Sequence, residues 1–214
     1  MNPSDVANLR REYETDGLRR ADLHPDPIAQ FSVWFSAAIE AALPDVNAVT
    51  LATATTDGRP SARVVLLKGF DQRGFVFFTN YHSQKGRELE ANPQAAFAIY
   101  WVQLERQIRV SGRVEKTSRA ESGAYFHSRP RGSQLGAWVS HQSEPIDARQ
   151  ILEGRLAEME ERYAQTPIEL PPHWGGYRLL PNEIEFWQGR ANRLHDRFRY
   201  TRADAGWTLD RLAP

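Results

Sequence analysis

Alternation of hydrophobic and polar positions through the middle of the chain predicts a series of β-strands. Residues 48–55 (AVTLATAT) alternate and are rich in β-branched side chains, and the Asp57-Gly58 pair that follows is typical of a tight turn. Similar patterns predict strands at residues 63–70, 75–80, 95–102 and 107–115, and later at 177–180, 184–187, 194–201 and 207–212.

Other segments carry helical signals. Asp26-Pro27 is a favourable helix start, and apolar residues recur at helical spacing from there to position 42, before Pro44. Ser83 caps a short helix over 83–92. The Ser118-to-Glu121 capping box opens another, which ends near Arg129 because proline disfavours helix at the residue before it. Further helices are predicted over 4–16 and 146–164.

The order of these elements predicts the fold class. The chain shows no repeat, no low-complexity linker and no break in composition. We therefore expect residues 1–214 to form a single α+β domain, a mainly antiparallel β-barrel with peripheral helices.

Composition narrows the functional classes. Among 214 residues, 27 Lys and Arg balance 27 Asp and Glu, so bulk charge favours neither nucleic acid nor a membrane surface as a partner. The chain lacks Cys, which excludes disulfides and cysteine nucleophiles, and its six His residues lack metal-ligand spacing, so no metal site is expected. Without an apolar leader or a membrane-length apolar run, a soluble cytoplasmic protein is expected. Dinucleotide-binding, P-loop and nucleophile-elbow motifs are also missing.

The stretch YFHSRPRGSQLGAW over 125–138 is the first candidate for chemistry. Tyr125 and Arg129 are four residues apart and share a helix face, and Ser133 follows after a Pro-Arg-Gly turn. A phenol, a guanidinium and a hydroxyl directed at one point suit a phosphate group. The alternative is a helix C-terminus at which Arg129 interacts with the helix dipole.

Two further stretches carry cations. RVVLLK over 63–68 places Arg63 and Lys68 at the two ends of an apolar strand, on opposite faces if alternation is strict. A bulge near Gly69, or a site built from two subunits, would let both reach one ligand, whereas solvated strand ends need no ligand. Lys85, two residues after Ser83, lies at a predicted helix N-terminus that suits phosphate. The alternative is ordinary capping by Ser83, which needs no ligand.

RLHDR over 193–197 is the fourth candidate. If residues 194–201 form a strand, Arg193, His195 and Arg197 point the same way, close in sequence to Trp187. A flat aromatic beside three hydrogen-bond donors suits a planar heteroaromatic ligand. An edge strand whose charges deter aggregation is the alternative.

Taken together, these stretches resemble the pyridoxamine 5′-phosphate oxidase family of FMN enzymes. The resemblance extends over nearly the whole chain through collinear motifs: RREY, ARVVLLK, VFFTN, LERQ, YFHSRPRGSQLGAW, the QS pair at 142–143, WGGYR, EFWQG and RLHDR. It implies an FMN-binding split barrel, a homodimer with FMN at the subunit interface, and a mobile N-terminal segment over residues 1–25.

The resemblance also implies roles for individual residues. The implied flavin contacts are Arg63, Val64, Val65, Leu66, Leu67, Lys68, Phe78, Thr79, Gln84, Lys85, Gln107, Gln142, Ser143, Trp187 and Arg197. The implied substrate contacts are Arg10, Arg11, Glu12, Tyr13, Lys68, Tyr125, Arg129, Ser133, Arg193, Leu194 and His195, of which Arg193 and His195 are the implied catalytic pair.

The implied reaction oxidises pyridoxamine or pyridoxine 5′-phosphate to pyridoxal 5′-phosphate by hydride transfer to the flavin. O2 is the acceptor, H2O2 is released, and NH3 is released from the amine. Gln84 stands where the family often has Arg, and Phe78 where it often has Tyr, and both changes bear on flavin affinity. A flavin oxidase acting on a phenazine-type precursor, or a flavin-binding or pyridoxal phosphate-binding protein without turnover, are the alternatives.

Overall fold

The computed structural model describes residue 8 and residues 12–214. The described part contains eight strands: β1 Ala48–Ala54, β2 Pro60–Asp71, β3 Gly74–Asn80, β4 Gln94–Trp101, β5 Arg106–Lys116, β6 Trp174–Gln188, β7 Asp196–Ala203 and β8 Gly206–Leu212. Its five α-helices are α1 Pro27–Glu40, α2 Gln84–Ala91, α3 Arg119–Ser128, α4 Arg131–Val139 and α5 Arg149–Arg162.

Strand pairing confirms the predicted barrel. The strand order is β3-β2-β1-β4-β5-β6-β7-β8, and a second pairing between β3 and β6 closes the first six strands into an antiparallel barrel. β7 and β8 extend the sheet beyond β6. The fold is thus α+β, an antiparallel barrel with helices, as the alternating pattern predicted, and it agrees with the split barrel that the resemblance implied.

The chain separates into two compact units. Unit 1 consists of residues 1–49, 97–110 and 181–214, and unit 2 of residues 50–96 and 111–180. The prediction that residues 1–214 form one domain, with a mobile segment over 1–25, stays a prediction.

Helix α1 supplies much of the core of unit 1. Asp26 is its N-cap and accepts a hydrogen bond from the Ile28 backbone N–H at 2.9 Å, and Pro27 occupies the first helical turn. Phe31 is fully buried on the same helix, and Trp34 packs edge-on against Phe186 of β6 at 5.1 Å between ring centroids. The predicted amphipathic helix therefore buries its apolar face as expected.

Unit 2 contains a second aromatic cluster, where α3, α4 and the start of β6 meet. Its buried members are Phe126, Leu135, Ala137, Tyr163, Ile168 and Trp174. Burial of this size is worth about 1.5–3 kcal/mol for each large side chain, so the cluster fixes the helices that carry Tyr125 and Ser133.

Two predicted strands turn out to be one. Residues 177–180 and 184–187 both belong to β6, which continues through Pro181. Residues 174–179 pair with β3 and residues 183–188 pair with β7, so Pro181 falls between these two registers. A missing backbone N–H costs little at that point.

Three further expectations differ from the structure. Where a Pro-Arg-Gly turn was predicted, Pro130 caps α4, because Leu135 and Ala137 give residues after it an apolar face to bury. Strand β7 begins at Asp196, not at residue 194. The helix predicted over 4–16 lies largely outside the described residues, and residues 12–16 are not helical.

The described helices include none that is both long and apolar enough to cross a membrane. Within residue 8 and residues 12–214, no group of three or more His, Asp or Glu side chains is placed to hold a metal ion.

Candidate active site

A cavity of about 720 Å³ lies in unit 2. Most of the predicted unit 2 ligand contacts line it: Arg63, Val64, Val65, Leu66, Lys68, Phe78, Thr79, Gln84, Lys85, Tyr125, Arg129, Ser133, Gln142 and Ser143. Leu67 does not, because its side chain is buried in the core. Residues separated by up to 80 positions in the sequence therefore converge on one cavity of a size usual for ligands.

Strand β2 brings Arg63 and Lys68, the two cations of the RVVLLK stretch, to this cavity. The register between β2 and β3 shifts by one residue between Leu67 and Gly69, which is the bulge considered from the sequence. Arg63 and Lys68 both line the cavity despite their odd spacing.

The helix α2 N-terminus positions Lys85 deep in the cavity. Ser83 is the N-cap, and its hydroxyl accepts a hydrogen bond from the Gly86 backbone N–H at 3.3 Å. Lys85 is buried, with 6% of the residue exposed. Its ammonium donates hydrogen bonds to Thr79 Oγ1 at 3.1 Å, Ser83 Oγ at 3.3 Å and Gln142 Oε1 at 3.1 Å. All three acceptors are neutral oxygens.

Lys85 is therefore buried with no carboxylate in direct contact with its ammonium. Desolvation, followed by repulsion from Arg63, lowers the pKa of Lys85 to about 8, although Glu88 opposes the shift. A cation held this way at a helix N-terminus gains stability from an anion bound beside it.

Glu88 holds Arg63, the second cation at this end of the cavity. Its Oε2 accepts from Thr53 Oγ1 at 2.5 Å and Ser61 Oγ at 2.6 Å, and its Oε1 accepts from Gln84 Nε2 at 2.9 Å. Arg63 donates to the same two hydroxyls and lies 3.4 Å from Glu88 Oε2. These hydrogen bonds hold the pKa of Glu88 at about 2 despite its desolvation.

Arg129 and its neighbours form the second cationic region. Arg129 follows the last residue of α3 in an extended conformation, and its guanidinium lies 4.7 Å from the centre of the Trp174 ring. Tyr125 stacks on Phe78 at 4.0 Å. Ser133 lies in the first turn of α4.

One atom of Arg129 sets this region apart. Nη1 is buried and has no hydrogen-bond partner among the described residues. Burial also lowers the pKa of the guanidinium, although Tyr125 opposes the shift. A buried, unpaired cationic donor is costly unless an anion completes it.

In unit 1, an aromatic cluster surrounds His195. The His195 ring lies 4.7 Å from Trp187 and 5.4 Å from Tyr13 between centroids, and its Nδ1 accepts from the Arg190 backbone N–H at 3.1 Å. Desolvation, and then Arg193, lower the pKa of His195. At neutral pH, the imidazole is therefore largely neutral.

The prediction that Arg193, His195 and Arg197 point the same way from one strand is wrong for Arg193 and His195. Arg193 and His195 precede β7, in a turn where Arg193 adopts the left-handed conformation with φ of 59°. Arg193 and Leu194 are exposed, whereas Arg197 lies within β7, directly opposite Trp187 of β6. A left-handed residue at a turn breaks the alternation that the sequence suggested.

Gln107 and Glu12 do not line that cavity. Gln107 lies on β5 in unit 1, and Glu12 is exposed. Arg10 and Arg11 lie outside the described residues. The roles assigned to all these residues stay predictions.

The sequence interpretation missed two groups of side chains. Trp174, which begins the WGGYR motif, lines the cavity beneath Arg129. Thr53, Ser61 and Glu88 hold Arg63. Glu88 is one helical turn after Lys85, but nothing in the local sequence indicates that its carboxylate is buried.

Comparison with known proteins gives the family. Residues 35–163 match the family model described as pyridoxamine 5′-phosphate oxidase. The chain belongs to the pyridoxamine 5′-phosphate oxidase family. Residues 174–214 match the model described as the pyridoxine 5′-phosphate oxidase C-terminal dimerisation region. The family assignment makes the chain an oxidoreductase.

Individual members of the family are similar over their whole length. The chain is 60% identical over 210 residues to the pyridoxine/pyridoxamine 5′-phosphate oxidase of Rubrobacter xylanophilus, a match that covers 98% of this chain and 97% of the relative. It is 56% identical over 210 residues to the enzyme of the same name from Nostoc sp. PCC 7120, with 98% of each chain covered.

Solved structures extend the similarity to the fold. PhzG from Burkholderia lata, crystallised with tetrahydrophenazine-1-carboxylic acid, superposes with a TM-score of 0.87 at 34% identity, covering 94% of this chain and 99% of that one. An FMN-binding protein related to pyridoxamine 5′-phosphate oxidase, from Nostoc punctiforme, gives 0.69 at 19% identity, covering 86% and 97%. The second similarity concerns the fold alone.

Proposed function

We propose that the chain is an FMN-dependent oxidase that converts pyridoxamine 5′-phosphate and pyridoxine 5′-phosphate to pyridoxal 5′-phosphate. One observation carries the proposal. The unit 2 cavity contains two separate cationic regions, one around Lys85 on α2 and one around Arg129 after α3. Two phosphate-bearing molecules, a flavin mononucleotide and a phosphorylated substrate, match these two regions.

The residues present fit the flavin phosphate. Lys85 combines a buried ammonium with a helix N-terminus, and the three oxygens that accept its hydrogen bonds are all neutral. Arg63 supplies a second cation, held by hydroxyls. The proposed flavin contacts in unit 2 are Arg63, Val64, Val65, Leu66, Lys68, Phe78, Thr79, Gln84, Lys85, Gln142 and Ser143. Leu67 is proposed to contribute through its backbone, and Gln107, Trp187 and Arg197 of unit 1 to contact the flavin.

The substrate phosphate is assigned to the second region. Arg129 Nη1, which has no partner in the described chain, would complete its hydrogen bonding on a phosphate oxygen. Lys68, Tyr125 and Ser133 line the same cavity and supply an ammonium and two hydroxyls. Each charge-assisted contact is worth about 1.5–3 kcal/mol.

FMN held by these residues would supply two-electron redox chemistry, by which a hydride equivalent leaves C4′ of the substrate and O2 is reduced to H2O2. With the amine substrate, water would then hydrolyse the resulting imine to the aldehyde and NH3. The protein's part is to hold the rings and adjust local charge. His195, largely neutral because its pKa is lowered, can accept or donate a hydrogen bond at neutral pH. Arg193 is proposed to contact the substrate, together with Leu194 and, from the N-terminal segment, Arg10, Arg11, Glu12 and Tyr13.

A second function is favoured by a different observation. The PhzG structure, at 34% identity, was crystallised with a tetrahydrophenazine carboxylic acid, so oxidation of a phenazine-type precursor is the rival. That ligand carries a carboxylate in place of a phosphate. Arg129 Nη1 would pair with either anion. Lys68, Tyr125 and Ser133 line the same cavity and offer further donors for the additional oxygen of a phosphate, which supports a phosphate-bearing substrate.

We also infer a homodimer in the cytoplasm. The match of residues 174–214 to a dimerisation region supports the dimer. Val64 and Leu66, on the exposed face of β2, are 67% and 42% exposed, which is unusual for large aliphatic side chains unless a partner covers them.

The test uses protein reconstituted with FMN. We expect H2O2 to form with pyridoxine 5′-phosphate and with pyridoxamine 5′-phosphate, and the dephosphorylated alcohol pyridoxine to be oxidised far more slowly. Equal rates with and without the phosphate, or turnover of a dihydrophenazine carboxylic acid only, would reject the proposal.

A further inference from the structure

An acidic side chain on β6 holds Arg197 in place. Arg197 Nε donates to Glu185 Oε1 at 3.0 Å, and Nη2 donates to Glu185 Oε2 at 3.1 Å, which is a bidentate pair. Arg197 Nη1 also donates to the backbone carbonyl of Ala213 at 2.8 Å. The guanidinium is therefore fixed along two of its edges.

Counting donors shows what Arg197 can still do. A guanidinium has five N–H groups, and these three hydrogen bonds use three of them. One N–H on Nη1 and one on Nη2 remain, and no other residue in the described part of the chain contacts them. The pair thus presents a rigid two-donor edge, with 24% of the Arg197 side chain exposed.

Glu185 also determines the local charge. Its side chain is only 9% exposed, and its Oε2 lies 3.4 Å from Nη1 of a second cation, Arg109, whose side chain is 58% exposed. One carboxylate thus faces two guanidinium groups. The hydrogen bonds that Arg197 donates to Glu185 raise the pKa of Arg197, so the cation stays charged at any working pH.

We propose that Glu185 is a positioning residue that orients the Arg197 guanidinium and, by offsetting its charge, holds down the reduction potential of the bound flavin. The inference rests on the proposed function, in which Arg197 contacts the flavin. Reduced flavin is more negatively charged than oxidised flavin, so a nearby positive charge stabilises the reduced form preferentially. A carboxylate paired with that positive charge acts in the opposite direction.

The same two strands supply a matched control. Glu183 of β6 and Arg199 of β7 form the same diagonal pair, one repeat along, with 3.6 Å between Glu183 Oε1 and Arg199 Nη1. Their side chains are 44% and 38% exposed, so the pair is solvated and screened. Replacing Glu183 changes the net charge of the protein as much as replacing Glu185, without altering Arg197.

The experiment measures the two-electron midpoint potential of the FMN-loaded protein. For Glu185→Gln, the dissociation constant of oxidised flavin divided by that of reduced flavin should rise about tenfold. This is equivalent to a shift of the midpoint potential of about 30 mV towards positive values. Glu185→Asp keeps the charge and should stay close to the wild-type potential. Glu183→Gln should leave the potential unchanged.

A second variant, expected to shift the potential in the opposite direction, keeps the inference testable if Glu185→Gln does not fold. Arg109→Gln removes an exposed cation and leaves Glu185 to offset Arg197 alone, so the ratio should fall about threefold, equivalent to about 15 mV towards negative values. Potentials unchanged in both Glu185→Gln and Arg109→Gln, or equal shifts in Glu185→Gln and Glu183→Gln, would overturn the inference.

The proposed flavin contact is tested separately with Arg197→Leu. If Arg197→Leu changes FMN affinity or potential while Glu185→Gln does not, only the role of Glu185 fails. If Arg197→Leu changes neither, the assignment of Arg197 as a flavin contact fails, and the role of Glu185 fails with it.

Discussion

The buried ammonium of Lys85 makes FMN affinity dependent on pH. The pKa of Lys85 in the flavin-free protein is about 8, against an ordinary value of 10.5. A bound phosphate would raise that pKa again, because an anion beside the ammonium favours its charged form. Above pH 8, binding of FMN must therefore be accompanied by uptake of a proton. The affinity for FMN is highest below about pH 8 and falls as the pH rises further.

The size of the effect follows from the lowered pKa. At pH 9.5, about 3% of a group with a pKa of about 8 remains protonated. The dissociation constant of FMN should rise about 30-fold between pH 7 and pH 9.5, equivalent to about 2 kcal/mol. Both limits lie above the second ionisation of a phosphate ester at about 6, so the charge of the flavin's phosphate group is nearly constant.

Quenching of flavin fluorescence on binding to the apoprotein measures this constant. Lys85→Met removes the titrating group, so its affinity should be weak at pH 7 and nearly independent of pH. A wild-type affinity that is flat from pH 7 to 9.5, or a slope that persists in Lys85→Met, would refute the assignment of Lys85 to the flavin phosphate.

Three other variants test the substrate site and the framework. Arg129→Ala removes the unpartnered guanidinium, so steady-state kinetics should show KM for the phosphorylated substrate raised about 10–100-fold, while FMN content stays unchanged; loss of FMN instead would move this residue to the flavin. Arg193→Leu should lower kcat/KM about 100-fold with FMN retained, and wild-type kinetics would reduce RLHDR to a charged turn. Gly86→Ala would place a Cβ against the Tyr81 carbonyl oxygen and should lower the free energy of unfolding by about 3 kcal/mol in urea titrations; Gly132→Ala, in open space on α4, should not.

Local sequence patterns predicted the strands of the barrel well, because β1, β4 and β5 bury alternate residues and period-two alternation in the sequence records that burial. They failed where local rules compete with tertiary pairing. Pro181 suggested a break between two strands, yet β6 continues through it, and its partner changes there from β3 to β7. Helix α4 was missed because Pro130, which ended the preceding helix, also caps the next one.

The residues of the candidate site could likewise be predicted only where the signal is local in the sequence. Cations at strand and helix ends, such as Lys85, could be predicted, since their chemistry is visible in one residue and its neighbours. The carboxylates that orient cations could not. Glu88 and Glu185 are buried by partners distant in sequence, and a buried acid next to a cation has no local signature.

A single anaerobic turnover tests the central claim most directly. FMN-loaded protein mixed with excess pyridoxine 5′-phosphate in the absence of O2 should lose the flavin absorbance near about 450 nm and form one pyridoxal 5′-phosphate for each flavin. Admission of O2 should restore the absorbance with release of one H2O2. Flavin that stays oxidised on mixing, with no aldehyde formed, would contradict the proposed function.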